Sequence, residues 1–131
     1  MATRERPLSP FMIGPYYRPQ LTSVMSILFR VAGVVLAAGA LVLAAWLFAL
    51  AFDATLYARI AGLLASLPGR LALMLMTVAL VYHFFNGLRH LAWDAGHGYD
   101  IPTAYRTGYA VIALTVAFTA LLWWIALAVA A

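Results

Sequence analysis

Three long apolar runs dominate the chain, parted by short polar stretches. The first extends from about Ser23 to Phe52, the second from about Leu71 to Trp93, and the third from about Thr107 to Ala131. A helix needs roughly 20 apolar residues to cross about 30 Å of hydrocarbon. Each run meets that length, and the first exceeds it enough to tilt or protrude. Pro68 and Gly69 open the second run, and Asp94 and Gly96 close it. No run alternates with the period of two that marks outer-membrane strands. The pattern predicts an all-α integral membrane fold with three transmembrane helices. A short N-terminal segment precedes them, and residues 1–131 form a single membrane-anchor domain. The loops are short, so no separate water-soluble catalytic domain is expected.

Composition supports the same class. Hydrophobic residues make up 66% of the chain and charged residues 9%, with a mean hydropathy of +0.97. Soluble domains carry about 25% charged residues. There is no cysteine, which excludes disulfides, iron–sulfur ligation and thiolate chemistry within this chain. The net charge of +4 does not indicate nucleic acid, because all eight basic residues are Arg and they flank the apolar runs. The opening stretch through Gln20 is polar and Pro-rich. The apolar run after it exceeds the 7–15 residues of a signal-peptide core, so a cleaved signal is not expected.

Arginine placement gives a direction. Arg4, Arg6, Arg18, Arg89 and Arg106 lie in the N-terminal segment or near the second loop, whereas Arg59 and Arg70 lie in the first loop with Asp53. Positive charge is retained on the cytoplasmic side. The N-terminus and the loop 94–106 are therefore expected in the cytoplasm, with the first loop and C-terminus on the other side. A bacterial inner membrane is the expected location, ahead of a mitochondrial inner membrane.

Polar groups inside the spans need a reason, since an ionisable side chain at mid-helix costs roughly 2.5–3.5 kcal/mol on insertion scales. The first span holds Ser26 and Arg30. The second holds His83, Asn86, Arg89 and His90, and the third holds hydroxyls such as Thr115 and Thr119. Ser26, Arg30, Gly33 and Ala37 share one helix stripe, as do His83, Gly87, His90 and Asp94. Small residues in such stripes admit a second helix or a flat ligand close to the backbone. At about 1.5 Å per residue, His83 lies roughly 15 Å into the membrane, Arg30 roughly 10 Å and His90 roughly 5 Å.

Two readings of His83 stand. It is a neutral imidazole bonded to a neighbouring carbonyl, or it is an axial ligand to haem iron. A haem needs an apolar slot at depth and cations nearer the surface for its propionates, and Arg30, Arg89 and His90 are candidates. His83 and His90 share one face of one helix, so they cannot bind opposite sides of one iron. A second histidine ligand would have to come from another polypeptide. Arg30 with Ser26 is either an interfacial snorkelling pair or a polar pocket that bonds a quinone carbonyl or a propionate. Arg89 alone reads as an interfacial anchor. Trp46, Trp93, Trp123 and Trp124 read as interface-belt or packing residues, Tyr16 and Tyr17 as headgroup-level residues, and the methionines of the second span as packing.

Three stretches resemble a known family. Arg6-Pro7-Leu8-Ser9-Pro10 is similar to the RPLSPH opening of the cytochrome b subunit of succinate dehydrogenase. The run from Ser26 to Gly33 resembles that family's S-I-x-H-R-x-[ST]-G, and the run from His83 to Gly96 resembles its H-x-x-N-G-[IL]-R-H-L-x-W-D-x-G. The last is the most specific, and the resemblance covers the whole chain in order. It looks closest to the proteobacterial and mitochondrial forms.

The resemblance implies one of two membrane anchors of complex II, non-catalytic in itself. In that complex electrons from succinate pass through a flavoprotein subunit and an iron–sulfur subunit to ubiquinone. By motif position, His83 would be the ligand to one haem b, with the other ligand from the second anchor subunit. Ser26 and Arg30 would line the quinone site, and Arg30 and His90 would contact the haem propionates. Two positions depart from the pattern: Phe11 and Phe29 stand where the family has histidines. Phe29 cannot hydrogen-bond a propionate or a quinone. The rival readings are a haem-free membrane scaffold and the anchor of a fumarate reductase. Too few intramembrane histidines are present for a diheme anchor, and too few polar groups for a transporter.

Overall fold

A computed structural model describes residues 18–130 of the chain. Four helices account for nearly all of them: α1 (Leu21–Phe52), α2 (Ala54–Ala65), α3 (Leu67–Asp94) and α4 (Ile101–Ala130). Three of these are long and apolar enough to cross a membrane: Leu21–Phe52, Leu67–Asp94 and Ile101–Val129. Each overlaps one of the three apolar runs. The RPLSP stretch, Phe11, Tyr16 and Tyr17 lie outside the described residues.

The helix ends follow local chemistry. At the start of α1, the Ser23 hydroxyl donates to the Gln20 carbonyl at 3.0 Å and stands 3.3 Å from the Gln20 amide. Asp53 breaks the chain between α1 and α2 with extended backbone, and its carboxylate accepts from the amides of Thr55 and Leu56, both at 2.9 Å. Ser66 likewise caps α3 and accepts from the Gly69 amide at 3.3 Å, with Pro68 in the first turn. Proline suits a first turn because the amide it lacks would have had no helical partner.

Two boundaries differ from the sequence expectation. The first loop is largely the helix α2, a 12-residue element too short to span. Its half-buried side chains Tyr57, Ile60, Ala61 and Leu64 share one face, and Tyr57 packs at 5.7 Å on Trp46 of α1. The Asp53 cap was a legible start signal, but hydropathy alone marks only the spans. In addition, α4 starts at Ile101 rather than Thr107, which shortens the second loop to residues 95–100. Gly96 and Gly98 have φ of +82° and +81°, a backbone region that disfavours side chains. The Trp93 indole closes that turn by donating to the Gly98 carbonyl at 3.0 Å.

Little of this surface is buried. Met25, Ala32, Ala49, Val81, Ala104 and Val111 form the apolar core, while residues such as Leu41 are 74% exposed. Lipid tails solvate such surface as well as a core would, so close packing and polar contacts hold the helices together instead. Glycines mark the crossings. A Cβ on Gly108 would stand 3.0 Å from the Met25 sulfur, and one on Gly87 would stand 4.0 Å from the Phe29 ring.

Candidate functional site

Helix α3 presents polar groups on two faces. On the face toward α1, His83 Nδ1 stands 3.2 Å from the Phe29 carbonyl oxygen. A carbonyl oxygen only accepts, so this contact places the proton on Nδ1 and leaves the lone pair on Nε2. The Phe29 ring lies flat on the imidazole, centroids 4.1 Å apart and planes 14° apart. A Cβ on Gly33 would come within 3.3 Å of His83 Cε1, so α1 approaches the imidazole closely because that residue is glycine. Phe29 also meets His90 at 4.8 Å, and His90 meets the Trp93 ring edge-on at 5.0 Å. One phenyl ring therefore bridges the two histidines over Gly87.

Ser26 and Arg30 lie on α1 beside this face. Ser26 is half-buried and Arg30 is exposed. No hydrogen bond or ion pair within the described residues engages either side chain. The structure thus brings His83, His90 and Gly33 together around Phe29, and leaves the polar ends of Ser26 and Arg30 open. Asp94 and His97 are exposed near the end of α3.

The second face, toward α4, corrects the reading of Arg89. The sequence suggests an interfacial anchor or a cation for an anionic ligand, but Arg89 is 7% exposed. Its Nη2 donates to the Ala104 carbonyl at 2.7 Å and its Nε to Thr107 Oγ1 at 3.0 Å. Nη1 makes a long contact of 3.5 Å to Asn86 Oδ1, and the guanidinium sits 4.1 Å over the Trp93 ring. Every donor group of Arg89 faces α4 or its own helix, so the charge does not serve the His83 side. Asn86 beside it is 0% exposed, and its Nδ2 has no partner.

Two features have no counterpart in the sequence reading. One is the Arg89 clamp, since α4 partners become visible only once helix pairing is known. The other is Tyr82, whose hydroxyl donates to the Met25 carbonyl at 2.7 Å and ties α3 to α1 next to Ser26.

Among the described residues, no three His, Asp or Glu side chains converge to hold a metal within this chain. What the chain offers iron is a single imidazole of fixed tautomer. An imidazole with a free Nε2 lone pair is a donor that suits haem iron. A groove of about 430 Å³ is lined by Gln20, Thr22, Trp93, Tyr99 and Tyr105 among others, and by none of Ser26, Arg30, His83 or His90.

A family model described as succinate dehydrogenase/fumarate reductase transmembrane subunit matches residues 2–122. The chain belongs to this family. Among its relatives is the succinate dehydrogenase cytochrome b556 subunit of Rickettsia bellii, 39% identical over 119 residues, with 91% of each chain covered. The succinate dehydrogenase cytochrome b560 subunit of Reclinomonas americana is 37% identical, covering 90% of this chain and 84% of its own. The mitochondrial b560 subunit of Homo sapiens is 35% identical, covering 85% of this chain and 66% of its own. The family match includes the RPLSP stretch and both intramembrane motifs, so family membership does not rest on the helix count.

Proposed function

We propose that this chain is the cytochrome b membrane anchor of a succinate dehydrogenase complex. His83 ligates one haem b, and Ser26 and Arg30 line the quinone site. The observation that carries the reading is the Nδ1 contact of His83 with the Phe29 carbonyl. It leaves Nε2 as a Lewis base about midway along a lipid-facing helix. The names of the relatives, cytochrome b subunits of succinate dehydrogenase, support the same reading.

When bound, haem b supplies a one-electron couple inside the membrane. This chain's residues bind and orient. His83 would hold the haem iron, with a further ligand from the second anchor subunit. Arg30 and His90 would neutralise its propionates. Ser26 and Arg30 donate hydrogen bonds to a quinone carbonyl as it gains negative charge, and oriented donors at developing charge favour that reduction. Ser26 and Arg30 have no partners within the described residues, which suits groups that meet a ligand or a neighbouring subunit. The flavoprotein and iron–sulfur subunits, docked on the cytoplasmic side, deliver electrons from succinate to ubiquinone. The excess of Arg4, Arg6, Arg18 and Arg106 orients the chain with its N-terminus there, in a bacterial inner membrane.

Purified complex tests this. His83→Ala should abolish the b-type band in the reduced-minus-oxidised spectrum. Arg30→Ala should impair ubiquinone reduction while succinate oxidation by an artificial acceptor persists; equal loss of both would count against the quinone role. A second reading, a haem-free scaffold, draws on the same contact, because a histidine bonded to a carbonyl is also a satisfied packing residue. Absence of a b-type band from the wild-type complex would favour it. The family description also names fumarate reductase, and the relative rates of succinate oxidation and fumarate reduction decide the direction.

A further inference from the structure

Given His83 as the haem ligand, we propose that Phe29 and Gly33 of α1 are positioning residues that set the tautomer and rotation of its imidazole. An axial imidazole must offer one defined nitrogen and hold one defined ring plane. Left free on a helix it would do neither, since either nitrogen can carry the proton and the ring turns about its last torsion. Three contacts from one turn of α1 remove these freedoms. The Phe29 carbonyl accepts a hydrogen bond from Nδ1–H at 3.2 Å. The Phe29 ring covers one face at 4.1 Å and nearly parallel. The missing Cβ of Gly33 lets α1 stand close enough for both, since a methyl there would lie 3.3 Å from Cε1 and 3.8 Å from Nδ1.

The consequence is electronic as well as steric. A bond from Nδ1–H to a carbonyl raises the basicity of the other nitrogen and fixes ring orientation. Stronger donation favours ferric over ferrous iron, so α1 holds the haem potential lower than a free imidazole would. Phe29, which cannot hydrogen-bond through its side chain, contributes a backbone acceptor and a flat wall. Side-chain substitution can remove the wall but not the acceptor, and this separates the two effects.

The test uses the intact complex and four variants. Haem content is read from the optical spectrum, ligand-plane orientation from the largest g value of low-spin ferric haem, and donor strength from redox titration. Gly33→Ala should retain haem, shift the g value and raise the midpoint potential, because the displaced ring loses its bond to the carbonyl. Phe29→Leu should keep a near wild-type potential but broaden the g signal as the ring gains freedom. Phe29→Tyr should restore the sharp signal. Wild-type g value and potential in both Gly33→Ala and Phe29→Leu would overturn the positioning role. Should Gly33→Ala fail to assemble, the Phe29→Leu signal decides alone. His83→Ala separates the two levels. If it keeps the b-type band, the ligand reading itself fails. If it loses the band while the α1 variants match wild type, only the positioning role fails.

Discussion

Arg89 and His90 are neighbours in the chain, yet they serve opposite sides of α3. Toward α4, Arg89 donates to Ala104 and Thr107, and Thr115 donates to the Val111 carbonyl of its own helix at 2.7 Å, while Asn86 Nδ2 has no partner. Toward α1, His83 and Tyr82 donate to backbone carbonyls, His83 and His90 meet the Phe29 ring, and Ser26 and Arg30 meet no polar partner within the described residues. Residue type and depth do not separate the two faces, since an arginine lies on each side. What separates them is whether the arginine finds acceptors: Arg89 finds them on α4, whereas Arg30 has none among the described residues. The face on which Arg89 is clamped holds the bundle together. A face with an unused lone pair and a guanidinium unpaired among the described residues can receive something else.

The comparison predicts that the two faces fail differently. The largest effect on stability should follow Arg89→Met, which keeps an apolar stem and removes the donors. Interhelix hydrogen bonds in membranes average about 0.6 kcal/mol and reach about 1.7, while bonds to charged groups run to about 3 kcal/mol in soluble proteins. Two good bonds of this kind imply a loss of about 1–3 kcal/mol, read as a lower Tm of the detergent-solubilised complex. An unchanged Tm would show that α4 needs no clamp. His83→Ala should do the reverse, removing the haem signal while the α3–α4 contact stays intact. Next in size is Thr107→Val, which removes one acceptor at a cost of about 0.5–1.5 kcal/mol. The double variant Arg89→Met, Thr107→Val should fall short of the sum, because both changes delete the same bond. Additive losses would mean that the 3.0 Å contact contributes nothing.

These two faces were not equally legible in the sequence. Span number and placement followed from hydropathy, because lipid demands long apolar helices. The His83 stripe was visible because an intramembrane histidine is rare and its helix neighbours follow from spacing. Arg89 reads from sequence as an interfacial anchor or a cation for an anionic ligand, because its acceptors, the Ala104 carbonyl and Thr107, lie beyond a loop on another helix. A backbone carbonyl leaves no mark in sequence at all, and this applies equally to Phe29, whose side chain looked like a loss but whose carbonyl holds His83. The helix α2 went unread for another reason: its Asp53 cap and its apolar face over Tyr57, Ile60 and Leu64 were present but lay below the length that marks a span.

The smallest effect belongs to Asp100, at the start of α4, and it tests whether the bonded face depends on that helix end. The carboxylate accepts from the Thr103 amide at 3.0 Å, and its hydrogen bonds to Thr103 hold its pKa below the ordinary aspartate value. A lowered folded-state pKa means that the charged form favours the folded helix end. That contribution is complete above the unfolded-state pKa and is lost as pH falls through the folded one, below about pH 4. Asp100 is fully exposed to water, so the effect is local. Acidification should lower the protection of the Thr103 and Ala104 amides, measured relative to their intrinsic exchange at each pH, Ala104 being the residue whose carbonyl Arg89 engages, and Asp100→Asn should remove most of that pH dependence. The haem spectrum should not follow, because His83 looks the other way. If the spectrum of the Asp100→Asn complex at neutral pH tracked the fraying of α4, the two faces of α3 would be one coupled unit, and the division drawn between them would not hold.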